Sequence, residues 1–96
     1  MAAIINMQAK PSITHIPPAF KSSDLSLVSA ILTTQRAKLI RTQRVSPYKF
    51  LFDLHPLEIC LELEREYINN NLMVSAKAIS ENIKLLKGLM KNYENQ

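Results

Sequence analysis

The sequence predicts an all-α fold: a small helical bundle of three main helices plus one short helix, preceded by an extended N-terminal arm. A single glycine among 96 residues is too few for a turn-rich sheet protein. Hydrophobic residues make up 47% of the chain and charged residues 21%, which excludes a wholly disordered protein. Apolar residues also recur at helical spacing over two long segments, 23–44 and 75–93. A chain of this length has room for one hydrophobic core.

The N-terminal arm is expected over residues 1–22, because three prolines interrupt this segment and no helical period runs through it. Its alternating segment 12–16 is typical either of an arm that packs on its own domain or of a motif that lies along the sheet edge of a partner. The remaining residues, 23–96, are expected to form a single helical domain.

The first helix is expected over 23–44. Ser22 or Ser23 is its expected N-cap, and Asp24 would lie in the first turn, at the positive end of the helix dipole. Apolar residues and Gln35 fall in one arc of the helical wheel, and basic residues occupy the opposite side. The two sets are Leu25, Val28, Ile31, Leu32 and Leu39 against Lys38, Arg41 and Arg44.

A short helix is expected over 47–53, with Ser46 as N-cap and Pro47 at the first helical position. Tyr48, Phe50 and Phe52 lie within this segment. Such a density of aromatic rings predicts that the short helix fills the gap between the longer ones.

The third helix is expected over 56–69, and here two periods conflict. Its run of glutamate, leucine and arginine has strong helical propensity. Its leucines and isoleucine also alternate with glutamates, as they do in an amphipathic strand. The alternating apolar residues are Leu57, Ile59, Leu61 and Leu63. The alternative fold is therefore α+β, with a hairpin near 48–64, whereas the helical choice places Glu64 inside the apolar face.

The last helix is expected over 75–93, with Ser75 as its N-cap and three asparagines at 69–71 forming the preceding loop. Its apolar residues are spaced alternately by four and three, which predicts either packing inside the bundle or the seam of a homodimeric coiled coil. The expected partner or oligomer interface consists of Ile79, Ile83, Leu86, Leu89, Met90 and Tyr93.

The net charge of +4 is distributed in a basic, an acidic and a second basic block, over residues 36–49, 53–66 and 77–91. Blocks of alternating sign favour contacts between segments or between copies of the chain. The first block is also a candidate surface for polyanions, with each neutralised phosphate adding to the salt dependence of binding. Its residues are Arg36, Lys38, Arg41, Arg44 and Lys49.

The sequence indicates no enzyme, no catalytic residue, no metal site and no cofactor. A single glycine excludes the usual phosphate-binding loops, and one cysteine with two distant histidines does not match zinc-ligand spacing. Cys60 lies among apolar residues and is expected to be a buried thiol. A lone thiol fits a reducing cytoplasm, or a nucleus if the source is eukaryotic, and the apolar runs are too short to span a membrane.

The predicted function is a small non-enzymatic protein-interaction module, such as an adaptor, an assembly or secretion chaperone, or a regulator-binding protein. It would act through apolar helix faces, as a homodimer or with a client helix, because the last helix carries more apolar surface than one neighbouring helix covers. The alternative is a dimeric nucleic-acid-binding regulator that uses the basic face of the 23–44 helix.

Overall fold

The computed structural model describes residues 18–94, with side chains up to residue 92, and it shows that the all-α prediction is wrong. The chain is α+β. The elements are strand β1 (Phe20–Ser22), helix α1 (Leu25–Thr33), strands β2 (Lys38–Ser46) and β3 (Lys49–His55), and helices α2 (Leu57–Ile68) and α3 (Ala76–Glu94). Residues 1–17 of the predicted N-terminal arm lie outside the described residues. The last three residues of the predicted arm, 20–22, form β1.

The three strands form one antiparallel sheet in the order β1-β3-β2, so β3 is the central strand. Asp53 at its middle lies opposite Lys21 of β1 and Arg41 of β2. Directly opposite residues in antiparallel strands point to the same face of the sheet. The register therefore brings these three side chains together on one face.

The helix predicted over 23–44 ends at Thr33 instead. Gln35 adopts the left-handed conformation, with φ of 62°, and its amide donates a hydrogen bond to the carbonyl of Leu32 over 3.0 Å. This is a common way for a helix to satisfy its last carbonyl groups and stop. The chain then turns into β2, so the second half of the predicted helix is a strand.

The N-cap of α1 is Asp24 rather than Ser22 or Ser23. The Asp24 carboxylate accepts hydrogen bonds from the amides of Ser26 and Leu27, at 3.0 and 3.2 Å. These two amides are among the four that a helix leaves without an internal partner.

The short helix predicted over 47–53 is also wrong, because β2 and β3 form a hairpin that turns at residues 47 and 48. The side chains of β3 alternate, and Phe50, Phe52 and Leu54 are buried. The alternative prediction, an α+β fold with a hairpin near 48–64, gave the correct fold class but paired the strand with the wrong segment. The strand at 49–55 pairs with the segment before it, and the segment after it is helical.

The two C-terminal helices confirm the predictions to within one residue at each end. Ser75 caps α3 as predicted, since its hydroxyl accepts a hydrogen bond from the Ala78 amide at 3.2 Å. The predicted asparagine loop contains Asn70 with φ of 62°, a conformation that asparagine tolerates. In α2, the buried pair Cys60 and Leu63 is spaced three apart, so the helical period prevails over the alternating one.

The helices cover one face of the sheet and enclose the core against it. Helix α1 packs mainly against α3, while α2 lies against β3 and β1. A hydrogen bond of 2.9 Å from Asn82 Nδ2 to Thr33 Oγ1 links α3 to α1. The buried core cluster consists of Phe20, Leu27, Val28, Ile31, Ala37, Phe50, Phe52, Leu54, Cys60, Leu63 and Leu86.

Candidate functional site: the open face of the sheet

The second face of the sheet, named here the open face, is covered by no helix of the described residues. Because alternate β3 residues are buried against the helices, the intervening ones point away from them. The strand register then assigns the residues of β1 and β2 that share this face. The open face consists of Lys21, Lys38, Arg41, Gln43, Ser46, Lys49, Leu51, Asp53 and His55.

A buried carboxylate lies at the centre of the open face. Asp53 is only 3% exposed and is surrounded by long side chains from both neighbouring strands. Its Oδ2 accepts from Lys21 Nζ at 3.0 Å and forms an ion pair with Arg41 Nη2 at 3.1 Å. The amide nitrogen of Gln43 lies 3.1 Å from both carboxylate oxygens. One carboxylate thus links all three strands.

These contacts keep Asp53 ionised. Burial of the carboxylate acts to raise its pKa, but hydrogen bonds from its three partners and the charge of Lys21 outweigh that effect. The pKa of Asp53 is therefore lowered from its usual value. Asp53 consequently carries a full negative charge at neutral pH and orients two cations.

The open face is nevertheless basic, with four cations against one carboxylate. Lys38 and Lys49 are exposed, and the side chains of Lys21 and Arg41 are 48% and 61% exposed although both contact Asp53. At about 3.4 Å per residue, the face extends roughly 20 Å along β3. The cations lie along this length on three strands, so the charge is spread over a flat surface.

The structure brings together three of the five residues predicted for polyanion binding. Lys38, Arg41 and Lys49 share the open face. Arg44 lies opposite Phe50 and therefore points to the other face of the sheet. Arg36 lies outside the strands and pairs with Glu62 at 3.4 Å.

Sequence reasoning missed the remaining members of the site. Lys21 lies in a segment predicted to be an arm, and Gln43 and Asp53 lie in segments predicted to be helical. The alternation of Phe50, Phe52 and Leu54 with polar residues was a usable signal, because it places Asp53 opposite the buried side of a strand. Nothing in the short β1 sequence indicated that it pairs with β3.

The predicted partner interface on α3 lies largely within the chain's own packing. Leu86 is fully buried in the core, and Leu89 and Met90 pack against the core cluster. Ile79 and Ile83 are half-buried, and the side chain of Tyr93 lies outside the described residues. Helix α3 therefore uses most of this apolar seam against its neighbours, and the interface remains a prediction.

The cysteine is buried as predicted. Cys60 is fully inside the core, and burial raises the pKa of its thiol. A neutral, enclosed thiol is a poor nucleophile. Among residues 18–94, no group of three histidine, cysteine or acidic side chains is placed to hold a metal ion.

The chain matches no protein-family model, and comparisons with curated proteins and with solved structures find no match. In the described part of the chain, no helix is both long enough and apolar enough to cross a membrane. Function is therefore inferred from the site's own geometry.

Proposed function

We propose that this protein is a small, non-enzymatic module that binds nucleic acid, with the phosphate backbone held on the open face of its sheet. The observation that supports the proposal is that four cations from three strands share one face of the sheet, and that a buried carboxylate holds two of them. A reducing compartment, in which Cys60 stays a thiol, belongs to this proposal.

The charges of the open face suit a row of phosphates. A face about 20 Å long spans several successive phosphates of one strand. Asp53 neutralises part of the charge of Lys21 and Arg41, while Lys38 and Lys49 form no ion pair among the described residues. If two to four phosphates are contacted, the logarithm of the affinity should fall with the logarithm of the salt concentration with a slope of about 1.5 to 3.

Asp53 gives the surface its preorganisation in this proposal. Long basic side chains lose conformational freedom when they bind, which weakens binding. The 3.0 Å contact to Lys21 and the 3.1 Å contact to Arg41 hold both side chains in place before a ligand arrives. The loss of freedom on binding is correspondingly smaller.

The experiment that tests the proposal is charge reversal at the two cations that do not touch Asp53. The double variant Lys38→Glu with Lys49→Glu is compared with Lys77→Glu with Lys84→Glu, two exposed lysines of α3 that change the net charge equally. Binding of a labelled oligonucleotide is measured by fluorescence anisotropy at several salt concentrations.

We expect the open-face double variant to bind the oligonucleotide much more weakly, and its slope of log affinity against log salt to be smaller than the wild-type slope by about 1.5 to 2. The α3 control should keep the wild-type slope. Equal losses in both double variants would show that only net charge matters. A wild type that shows no salt-dependent binding would overturn the proposal.

A second candidate function is protein binding, because several large apolar side chains on or between helices α2 and α3 remain exposed outside the seam. Ile68 and Met73 lie around the connection between α2 and α3, and Leu85 lies on α3. In this function the chain forms a homodimer or takes up a client helix. Sedimentation equilibrium of the wild type and of Leu85→Lys tests the homodimer, which the lysine should dissociate; a monomeric wild type contradicts it.

A further inference from the structure

The tip of the β2–β3 hairpin carries an aromatic side chain that is almost completely exposed. Tyr48, the second residue of the turn, is 96% exposed. Among the side chains described, no other aromatic ring is exposed to this extent. Tyr48 packs little against its own fold, so core packing does not account for an aromatic ring at this position. The next residue is Lys49, one of the cations of the open face.

Tyr48 and Lys49 also border a cleft. Strand β1 pairs only with Phe52–Leu54, so the first residues of β3 extend past the end of β1. The cleft lies at this point, between the hairpin, the start of α1 and the C-terminal part of α3. It is lined by Ser23, Leu25, Tyr48, Lys49, Phe50, Phe52 and Met90.

The size and lining of the cleft suit a single flat ring. Its volume is about 280 Å³, slightly below the range of about 300–1,000 Å³ that drug-sized ligands occupy. Its walls are mainly aromatic and apolar, and Lys49 adds a positive charge at the rim. This combination of an apolar slot, an exposed ring and an adjacent cation is the arrangement that binds a base together with its phosphate.

We propose that this cleft, on the helical side of the β3 edge, binds one unpaired base, stacked on Tyr48, of a nucleic acid strand whose backbone crosses that edge at Lys49 onto the open face. This inference rests on the proposed function and deepens it, because it selects single-stranded nucleic acid. In a duplex the bases are already paired and stacked, and they cannot enter the cleft without being extruded. The cations of the open face have no such requirement and accept any phosphate backbone.

The test compares Tyr48→Ala with Tyr48→Phe, which keeps the ring and removes the hydroxyl. The probes are a labelled oligothymidine, a duplex of the same length and, as competitor, inorganic polyphosphate, which has charge and no bases. The matched control is Met73→Ala, which removes an 89% exposed apolar side chain at the connection between α2 and α3. Circular dichroism verifies that each variant is folded.

We expect Tyr48→Ala to weaken oligothymidine binding about 5- to 150-fold, the range that corresponds to the loss of one stacked base. Tyr48→Phe and Met73→Ala should bind as the wild type does. Polyphosphate binding should be unchanged in all three variants, and the wild type should prefer the single strand to the duplex.

The outcomes separate the two proposals. If the wild type binds none of the three probes, oligothymidine, duplex and polyphosphate, the proposed function fails and this inference fails with it. If the Lys38 and Lys49 variant loses binding while Tyr48→Ala retains it, the open face binds phosphate and the cleft proposal alone is overturned. Equal affinity of the wild type for single strand and duplex also overturns it.

Discussion

The two faces of the sheet are built from alternate residues of the same strands and have opposite chemistry. On the covered face, Phe50, Phe52 and Leu54 of β3 pack against the helices and are buried. On the open face, Asp53 lies between Phe52 and Leu54 in sequence and is equally buried, yet it is surrounded by Lys21, Arg41 and Gln43. Burial on one face is achieved by apolar packing and on the other by hydrogen bonds and ion pairs.

The comparison indicates which face supplies stability and which supplies binding. Apolar packing contributes roughly in proportion to the area removed from water. A buried carboxylate with its ion pairs contributes less net stability than apolar groups of similar volume, although removal of the carboxylate alone is destabilising. The covered face should therefore dominate the free energy of unfolding, and the exposed cations of the open face should tolerate changes of charge.

The largest effect is expected from removing an aromatic ring on the covered face. Phe52 is 1% exposed at the centre of the core, and Phe52→Ala should lower the free energy of unfolding by about 3–5 kcal/mol. That is a large share of the roughly 5–15 kcal/mol available to a domain of this size. Urea denaturation followed by circular dichroism measures it.

The control is Tyr48→Ala, which removes a ring of similar size at an exposed position and should cost less than about 0.5 kcal/mol. Because Phe52→Ala removes a large share of the total stability, Phe52→Leu provides a milder variant with an expected loss of roughly 1–2 kcal/mol. A Phe52→Leu protein as stable as the wild type would contradict the assignment of the core to this face.

An intermediate effect is expected at the centre of the open face. Asp53→Asn should lower the free energy of unfolding at pH 7 by about 1–3 kcal/mol, because the charge-assisted hydrogen bonds are lost. The cost stays below that of breaking a fully buried pair, since Lys21 and Arg41 are half-exposed and water solvates them when the carboxylate is removed.

The effect of Asp53→Asn should depend on pH. Because the folded state lowers the pKa of Asp53, its stabilisation is present above the unfolded pKa of about 3.9 and is lost as the pH falls through the folded value. The difference between wild type and variant should therefore shrink in acid. Urea denaturation at pH 7 and at several pH values below about 4 measures it, and a difference that stays constant over this range would show that Asp53 is not the titrating group.

The sequence predicted the two helices with the strongest helical signals. Helix α3 has a capping serine and a long apolar period, whereas α2 was predicted from its helical propensity although two periods conflict there, and both form where expected. Strand β2 was missed because bulges between Leu39 and Arg41 and between Arg44 and Ser46 interrupt its two-residue alternation. Gln35 was missed as a helix end because a left-handed glutamine is uncommon and the residues around it fit a helical wheel.

The candidate site was partly predictable, because basic residues can be identified from the sequence without knowledge of the fold. Basic residues at 38, 41 and 49 were identified as candidates from charge alone, whatever element carries them. Their convergence depends on the pairing of β2 with β3, and the contribution of Lys21 depends on a three-residue strand. Neither pairing is encoded in local propensity, since strand partners are selected by tertiary packing.

The smallest effect is expected from a buried polar group that has no partner. Ser29 of α1 is fully buried, and its hydroxyl has no hydrogen-bond partner among the described residues. It is the counterpart of Asp53, which is buried with three partners. An unsatisfied hydroxyl costs stability, so Ser29→Ala should raise the free energy of unfolding by about 0.5–2 kcal/mol.

The control for Ser29→Ala is Ser26→Ala, at an exposed position of the same helix. Both substitutions gain the higher helix propensity of alanine, which is about 0.5 kcal/mol or less, so the difference between the two variants isolates the buried hydroxyl. Urea denaturation measures both. A Ser29→Ala protein that is less stable than the Ser26→Ala protein would mean that the Ser29 hydroxyl makes a stabilising hydrogen bond, as the carboxylate of Asp53 does.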